Sequence, residues 1–334
     1  MSGAAPGAAQ ALPQAGVAVL RGRYRRRPED FRVDEVLGFA PAGAGEHVLV
    51  QVRKRGANTA WVGAEVARRA EVPVADVSWC GEKDRHAVTT QWFSVRDPGG
   101  AFAPAAGEGG DGWEVLASAR HVRKLRRGDH AGNRFRLRVH PDEGDATALA
   151  APVAARLVEP VPNYFGPQRF GRDGANLAAA AAWVRGGRLP PRGASRGRIL
   201  SAARAQLFNL VLAARVRAGT AATVLEGDVA EAGLPTGPLW GRGRSPVTGA
   251  AALVEAAALA DHGAWCERLE HAGLEQARRP LVLRLASPEV TSDDEALELA
   301  FELPPGAFAT AVLAALGPLR DAAAPAPEHG GSPP

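Results

Sequence analysis

Gly81-Glu82-Lys83-Asp84-Arg85-His86-Ala87-Val88-Thr89-Thr90-Gln91-Trp92 packs a glycine, two acids, two bases and a histidine into its first six residues, then runs into a strand over Gln91–Arg96. On composition alone this is a charged turn between two elements. The glycine spacing and the Lys-Ser/Thr pair of a phosphate-binding P-loop are absent. Cys80 and His86 have no partner pair at ligand spacing, so no metal centre is read here. Lys83 stands out for a separate reason. Of 40 basic residues only Lys54, Lys83 and Lys124 are lysines, in a chain rich in Ala, Gly, Pro and Arg. Where coding bias favours arginine, a surviving lysine marks a place an arginine fork does not serve.

Outward from this motif, apolar and polar residues alternate over Phe31–Val36 and Val48–Arg53, which predicts strands. Asn58-Thr59 begins a helix to about Ala70. Residues 97–112 read as a Gly/Pro-rich surface loop. Over Arg134–Val139, Phe135, Leu137 and Val139 face one way and Arg134, Arg136 and Arg138 the other, a half-buried strand with a basic outer face. From about Val161 the texture changes. Asn176–Arg185, Ile199–Arg217 and Ala250–Leu259 read as helices, joined by loops at 186–198 and 233–249. Strand character returns at Leu281–Leu285 and Leu297–Leu303, and an Ala-rich helix from about Ala307 to Leu316 closes the chain. A strand-rich region, a helical block and more strands imply a helical domain inserted into an α+β domain. No repeat at a solenoid period is present.

The chain has 334 residues, 46% of them hydrophobic and 23% charged, which excludes wholesale disorder and allows two domains. No run approaches ~18 uncharged apolar residues, so no membrane span is expected. No secretory signal is visible, and two cysteines make neither a disulfide framework nor a structural zinc site. A soluble cytoplasmic protein is the simplest expectation. Net charge is only +4, yet residues 21–27, 120–138 and 169–204 hold 21 of the 40 basic residues and two of the 36 acids. Such clustering suits a polyanionic partner, or equally a set of solvated faces.

Two further motifs carry weight. In Pro162-Asn163-Tyr164-Phe165-Gly166-Pro167-Gln168-Arg169-Phe170-Gly171-Arg172-Asp173-Gly174-Ala175-Asn176, aromatics and arginines interleave through a glycine-punctuated loop. Stacking planes with phosphate contacts suit RNA, and a packed glycine–aromatic corner fits as well. In Leu303-Pro304-Pro305-Gly306-Ala307-Phe308-Ala309-Thr310, a Pro-Gly turn delivers Phe308 at the start of the last helix, where it is a candidate core or site residue.

These motifs, in this order, resemble the TruD family of tRNA pseudouridine synthases. Pro28-Glu29-Asp30-Phe31-Arg32-Val33-Asp34-Glu35, Gly132-Asn133-Arg134-Phe135 and Leu234-Pro235-Thr236-Gly237-Pro238-Leu239-Trp240-Gly241 complete the likeness, which runs from about Arg21 to Leu316. The resemblance implies an α+β catalytic domain with a mixed, mainly antiparallel sheet flanked by helices, over 19–160 and 278–320. A mostly helical TruD-type insertion domain of 161–277, short for the family, interrupts it. Residues 1–18 and 321–334 are expected to be disordered. The activity implied is conversion of uridine to pseudouridine in tRNA, normally at uridine 13. That reaction breaks an N-glycosidic bond, turns the base and rejoins it through carbon, with no redox change and no imported group. No cofactor and no metal are therefore required. The partner is tRNA, with no membrane and no obligate protein partner, and the chain is expected to be a monomer.

The likeness makes Asp84 the catalytic carboxylate, acting as nucleophile or base. It lines the pocket with Phe31, Phe135 and Phe308, and gives Asn133 the uracil edge. A nearby cation must offset the desolvation of Asp84. Lys83 is adjacent but points to the opposite face of an extended chain, so the Arg25–Arg27 cluster is an equal candidate. Lys83 then holds a phosphate or the loop, Arg25 and Arg27 remain ion-pair or tRNA contacts, and Arg169 and Arg172 offer further tRNA contacts. His86 reads as structural or substrate-orienting, and Cys80 and Cys266 as inert. The residues by themselves also suit a non-catalytic RNA-binding protein or another Asp-dependent enzyme such as a hydrolase.

Overall fold

The computed structural model describes residues 12–324; the disorder expected at 1–11 and 325–334 lies outside the described residues. The chain divides into two units. One gathers 19–158, 285–307 and 316–324, and the other 12–18, 159–284 and 308–315. The second unit takes in the expected insertion and extends beyond it. It also includes Phe308, because that residue joins a cluster with Phe165 and Phe208.

The first unit is built on a sheet of eleven strands. In chain order they are β1 (Gly22–Tyr24), β2 (Phe31–Val36), β3 (His47–Arg55), β4 (Val77–Trp79), β5 (Val88–Arg96), β6 (Gly109–Gly110), β7 (Trp113–His121), β8 (Gly132–Pro141), β9 (Ala286–Ser292), β10 (Leu297–Leu303) and β11 (Leu319–Asp321). The path runs β9-β10-β8-β2-β5-β3-β7-β6, with β1 beside β8 and β11, and β4 beside β5. Only β2–β5 and β1–β11 pair in parallel among the described strands, so the sheet is mixed and mainly antiparallel, as expected. Asp321, assigned to the tail on composition, ends a paired strand.

Period-two alternation places the core. Val48, Val50 and Val52 of β3 point to one face, where they meet Phe93, Val95, Trp113 and Val115. The helix α1 (Thr59–Arg69) covers that face with Thr59, Val62, Gly63, Val66 and Ala67, a one-sided helical stripe. A Cβ at Gly63 would meet the Trp79 ring at 2.7 Å, so glycine there lets α1 approach the sheet. Sequence reasoning passed over β7, β9 and a second helix, α2 (Ala146–Val158), which has Pro152 inside it. An internal proline ordinarily ends a helix. The basic outer face of β8 is real but largely neutralised. Arg134 pairs with Glu302 and Arg138 with Asp293, while Arg120 on β7 and Arg123 just after it pair with Asp97 and Asp129.

The second unit is mostly helical. Its longest helix, Ala194–Arg217, buries Leu200, Leu207, Phe208, Val211 and Leu212. This helix is long and apolar enough to cross a membrane by composition, but 61% of its most apolar stretch is buried inside the fold, as for a core helix. Strand Leu234–Leu239 pairs with Ala277–Pro280, where a loop and the boundary between the inserted and catalytic domains were expected. A Cβ at Gly237 would lie 2.6 Å from Leu281 and 3.1 Å from the Phe208 ring, so this strand closes on the helix only with glycine there. The first half of the Pro162–Asn176 motif is a packed corner. Tyr164 and Phe165 are buried, and Asn209 accepts from the Phe165 N–H and donates to its carbonyl.

Candidate active site

The site in the first unit begins at a bend. β1 and β2 both pair with β8, and between them the chain must turn. Arg25 makes the turn with φ +59°, in the left-handed region that disfavours residues with a Cβ. The turn Pro28–Asp30 follows, with proline at its first position, and Asp30 accepts the Arg27 N–H at 3.0 Å. This bend aims the Arg25 side chain rather than that of Arg26 or Arg27. Its Nη2 donates to Asp84 Oδ2 at 2.9 Å and its Nη1 to Asp321 Oδ2 at 3.1 Å. The guanidinium lies 4.0 Å from the centroid of Phe31, a cation–π contact that fixes its plane. Of the two candidate cations for Asp84, the structure selects Arg25. The Tyr24 hydroxyl is pushed up to about 12, chiefly by burial and next by the charge of Asp321.

Lys83 turns the other way, as an extended chain requires. Its Nζ donates to Glu35 Oε2 at 2.6 Å, with the two side chains 6% and 0% exposed. The other Glu35 oxygen accepts the Trp92 N–H. The loop between β4 and β5 is therefore anchored through Lys83 and displays Asp84, whose side chain is 30% exposed. Further bonds pin the same loop. Thr59 Oγ1 accepts the Lys83 N–H at 3.0 Å and donates to Gln91 Oε1 at 2.9 Å. Gln91 Nε2 donates to the Gly81 carbonyl. The Nζ of Lys54 donates to the carbonyls of Asp84 at 2.8 Å and Ala57 at 2.9 Å.

The aromatic residues assemble along β2, β8 and β10. Phe31 and Phe135 meet edge to face at 6.2 Å, and Phe135 stacks on Phe301 at 5.5 Å. Phe31 is only 2% exposed, and the role visible for it is to carry Arg25. Asn133 stands opposite Glu35 across the β2–β8 ladder, its amide 3.3 Å from His130 Nε2. Arg27 and His86 are exposed. Phe308, Arg169 and Arg172 belong to the helical unit. There Phe308 packs against Phe165 at 6.3 Å, and Arg169 lies 5.6 Å from the Phe308 centroid and donates to Ser201. Arg172 is exposed.

Glu35, Cys80 and His130, distant in sequence, bring one ligand-type atom each within 4.8 Å of one another, all buried. Both Glu35 oxygens are already committed, and the cation facing them is Lys83. Burial pushes the Cys80 thiol up to about 12, so it rests protonated beside the pair. The trio thus reads as a buried ion pair with a neutral thiol and imidazole beside it.

Sequence reasoning missed Tyr24, Glu35, Lys54, Thr59, Gln91 and Asp321. Two had a signal. Lys54 falls on the core side of Val48-x-Val50-x-Val52-x-Lys54, and Glu35 on the core side of Phe31-x-Val33-x-Glu35. A charge at an inward position needs a buried partner.

A family model for tRNA pseudouridine synthase D (TruD) matches residues 15–185. A tRNA pseudouridine synthase D of Aeromonas salmonicida is 44% identical, covering 89% of this chain and 91% of its own. One from Xanthomonas axonopodis is 43% identical, covering 93% and 95%. A solved structure described as a tRNA pseudouridine synthase D of Methanosarcina mazei superposes with a TM-score of 0.64 at 21% identity, over 91% of this chain and 96% of that one, and so shares the fold. With a matching family model over half its length and relatives at this identity over nearly all of it, the chain belongs to the tRNA pseudouridine synthase D family.

Proposed function

We propose that this chain isomerises uridine to pseudouridine in tRNA, at uridine 13, with Asp84 as nucleophile or base and no cofactor. The observation that carries the reading is the Arg25–Asp84 pair, held in a bend that sequence propensity disfavours. The reaction needs an anionic carboxylate beside the sugar and base. Arg25 grips Asp84 through Oδ2, which leaves Oδ1 for the reacting nucleotide. The same guanidinium is tied to Asp321 and lies over Phe31, so it cannot swing away with the substrate. The target nucleotide must leave its stack, at a cost of a few kcal/mol, which aromatic and amide contacts offset. Asn133 and Phe135, two residues apart on one face of one strand, supply candidates for those contacts.

The test uses purified protein and two transcripts of one tRNA, with uridine or cytidine at position 13. Pseudouridine has the mass of uridine, so the products are mapped after chemical derivatisation. Product at position 13 of the first transcript and none in the second is expected. Product only at other positions would overturn the site, and no product in either would overturn the activity.

Phe308 gives a separate prediction. By the family likeness its ring stacks on the base, and it is half-buried among Phe165 and Arg169. Phe308→Leu should lose on the order of 1–3 kcal/mol of substrate interaction, roughly ten- to hundredfold in turnover. Its melting temperature should barely move, since such apolar swaps usually cost under ~1.5 kcal/mol. A lowered melting point with normal turnover would make Phe308 a packing residue only.

A further inference from the structure

Lys54 is a fully buried lysine at the end of a strand face that is otherwise valine. It is 0% exposed, as are Val50 and Val52 before it on the same face. Across the ladder it stands opposite Thr89 on β5 and Trp113 on β7, neither of which carries charge. A buried ammonium costs free energy unless its protons are all taken up. Here they are. The three donors of Nζ meet three backbone carbonyls, those of Asp84 at 2.8 Å, Ala57 at 2.9 Å and Lys83 at 3.4 Å. Two of the three belong to the residues that form the candidate site.

We infer that Lys54 is a positioning residue for the reaction: its ammonium gathers the Lys83 and Asp84 carbonyls and so sets the direction in which the Asp84 side chain leaves the loop.

Three features support this. The first is chemical. A tetrahedral ammonium offers three divergent donors to three converging carbonyls, whereas a planar guanidinium offers a fork suited to a carboxylate. Lysine survives here in a chain where 37 of 40 basic residues are arginine. The second is geometric. Lys83 and Asp84 send their side chains to opposite ion pairs, with Glu35 and Arg25, and the two peptides flanking the Asp84 Cα can turn unless their carbonyls are held. Lys54 holds the carbonyl on each side of Asp84 N–Cα–C, and Thr59 holds the Lys83 N–H. The third is electrostatic. The charged groups facing Lys54 are Asp84, Lys83 and Glu82 of the loop, and Arg85 reaches the Gly56 carbonyl nearby. Burial brings the Lys54 ammonium down to about 8, with Asp84 and Glu82 opposing and Lys83 reinforcing that fall. Above that pH the neutral amine has two donors for three acceptors and no charge to hold them.

The inference rests on Asp84 as the reacting carboxylate, so Asp84→Asn is assayed beside it on the same tRNA transcript. Lys54→Met keeps the length and apolar stem of the side chain and removes the charge. Its kcat should fall by about a hundredfold with KM within about threefold and the melting temperature within a few degrees, the split expected when a group's effect is confined to the transition state. Wild-type kcat should decline on the alkaline side with a midpoint near 8, and the residual activity of Lys54→Met should lack that limb. Lys54→Arg should not restore turnover, although it restores the charge. A Lys54→Met enzyme with near-normal kcat beside a dead Asp84→Asn would overturn the positioning role alone. So would a loss seen only in KM or in melting temperature. Should Lys54→Met fail to fold, Lys54→Gln is assayed in its place: its amide offers two donors and no charge to three carbonyls, so a near-normal kcat overturns the role and a loss in kcat with KM held supports it. An active Asp84→Asn would overturn the assignment of Asp84 and this inference with it.

Discussion

Asp84→Asn is expected to bind tRNA within a few-fold of the wild-type affinity and to form no detectable pseudouridine. Asparagine keeps the size and shape of the side chain, and its amide oxygen can still accept from Arg25. What disappears is the negative charge and the anionic lone pair that the proposed role of Asp84 requires. The loop should keep its course, because its anchors act through other groups: Lys83 on Glu35, Thr59 on the Lys83 N–H, Gln91 on Gly81 and Lys54 on the carbonyls. The partly exposed Asp84–Arg25 pair contributes little to stability by comparison. Binding titration, thermal melting and product mapping on one preparation check all three parts. Substantial pseudouridine formation by the purified variant would reject Asp84, and a collapse of melting temperature would reject the separation of loop anchoring from chemistry.

Glu35→Gln should cause the largest loss of stability. The Glu35–Lys83 pair is 0% and 6% exposed, and Glu35 Oε1 also takes the Trp92 N–H in the β2–β5 region. Glutamine preserves the volume but leaves the Lys83 ammonium buried without a counter-charge. Breaking such a pair from one side costs about 3–5 kcal/mol. At about 2–4 °C per kcal/mol for a domain of this size, the melting temperature should fall by roughly 6–20 °C. Removing both charges, as Glu35→Gln with Lys83→Met, should recover much of the loss, because the penalty lies in the unpaired ion and not in the missing attraction. A double-mutant cycle by urea unfolding measures this. A Glu35→Gln change of less than about 1 kcal/mol would mean that the pair behaves as a solvated one.

What could be read in the chain beforehand follows from what one dimension holds. Phe31–Val36 and Leu297–Leu303 were legible to the residue, because period-two alternation is a local signal. The helix Ala194–Arg217 was recognised but begun five residues late, since its first turn is Ser, Arg and Gly rather than apolar. α2 was hidden by Pro152, and the strand Leu234–Leu239 by its two prolines and glycine. For the site, the motif around Asp84 was visible and its surroundings were not. Arg25 and Asp84 lie 59 residues apart, and Lys83 and Glu35 48 apart. No periodicity links such pairs; only the fold does. The scarcity of lysine drew attention to Lys83, but its partner proved to be Glu35. The same scarcity applied to Lys54, whose inward parity was the missed clue. Counting charge by segment also overstated the basic surface, because Arg120, Arg134 and Arg138 each meet an acid from outside their segment.

The parallel pairing of β1 with β11 has a meaning in time. Arg25 follows the first strand of this sheet and Asp321 ends the last one in chain order, 296 positions later, yet one guanidinium is shared between Asp321 and Asp84. Domains emerge and fold in order of synthesis, but this unit cannot finish until its final strand arrives beside its first. From the emergence of β5 until that of β11 the nascent polypeptide has the Asp84 loop and lacks one of the strands that hold Arg25. A product cut short before Leu319 would carry every residue of the Gly81–Trp92 motif and still leave Arg25 without its bond to Asp321. The arrival of β11 thus completes the setting of Arg25, and with it the frame around Asp84.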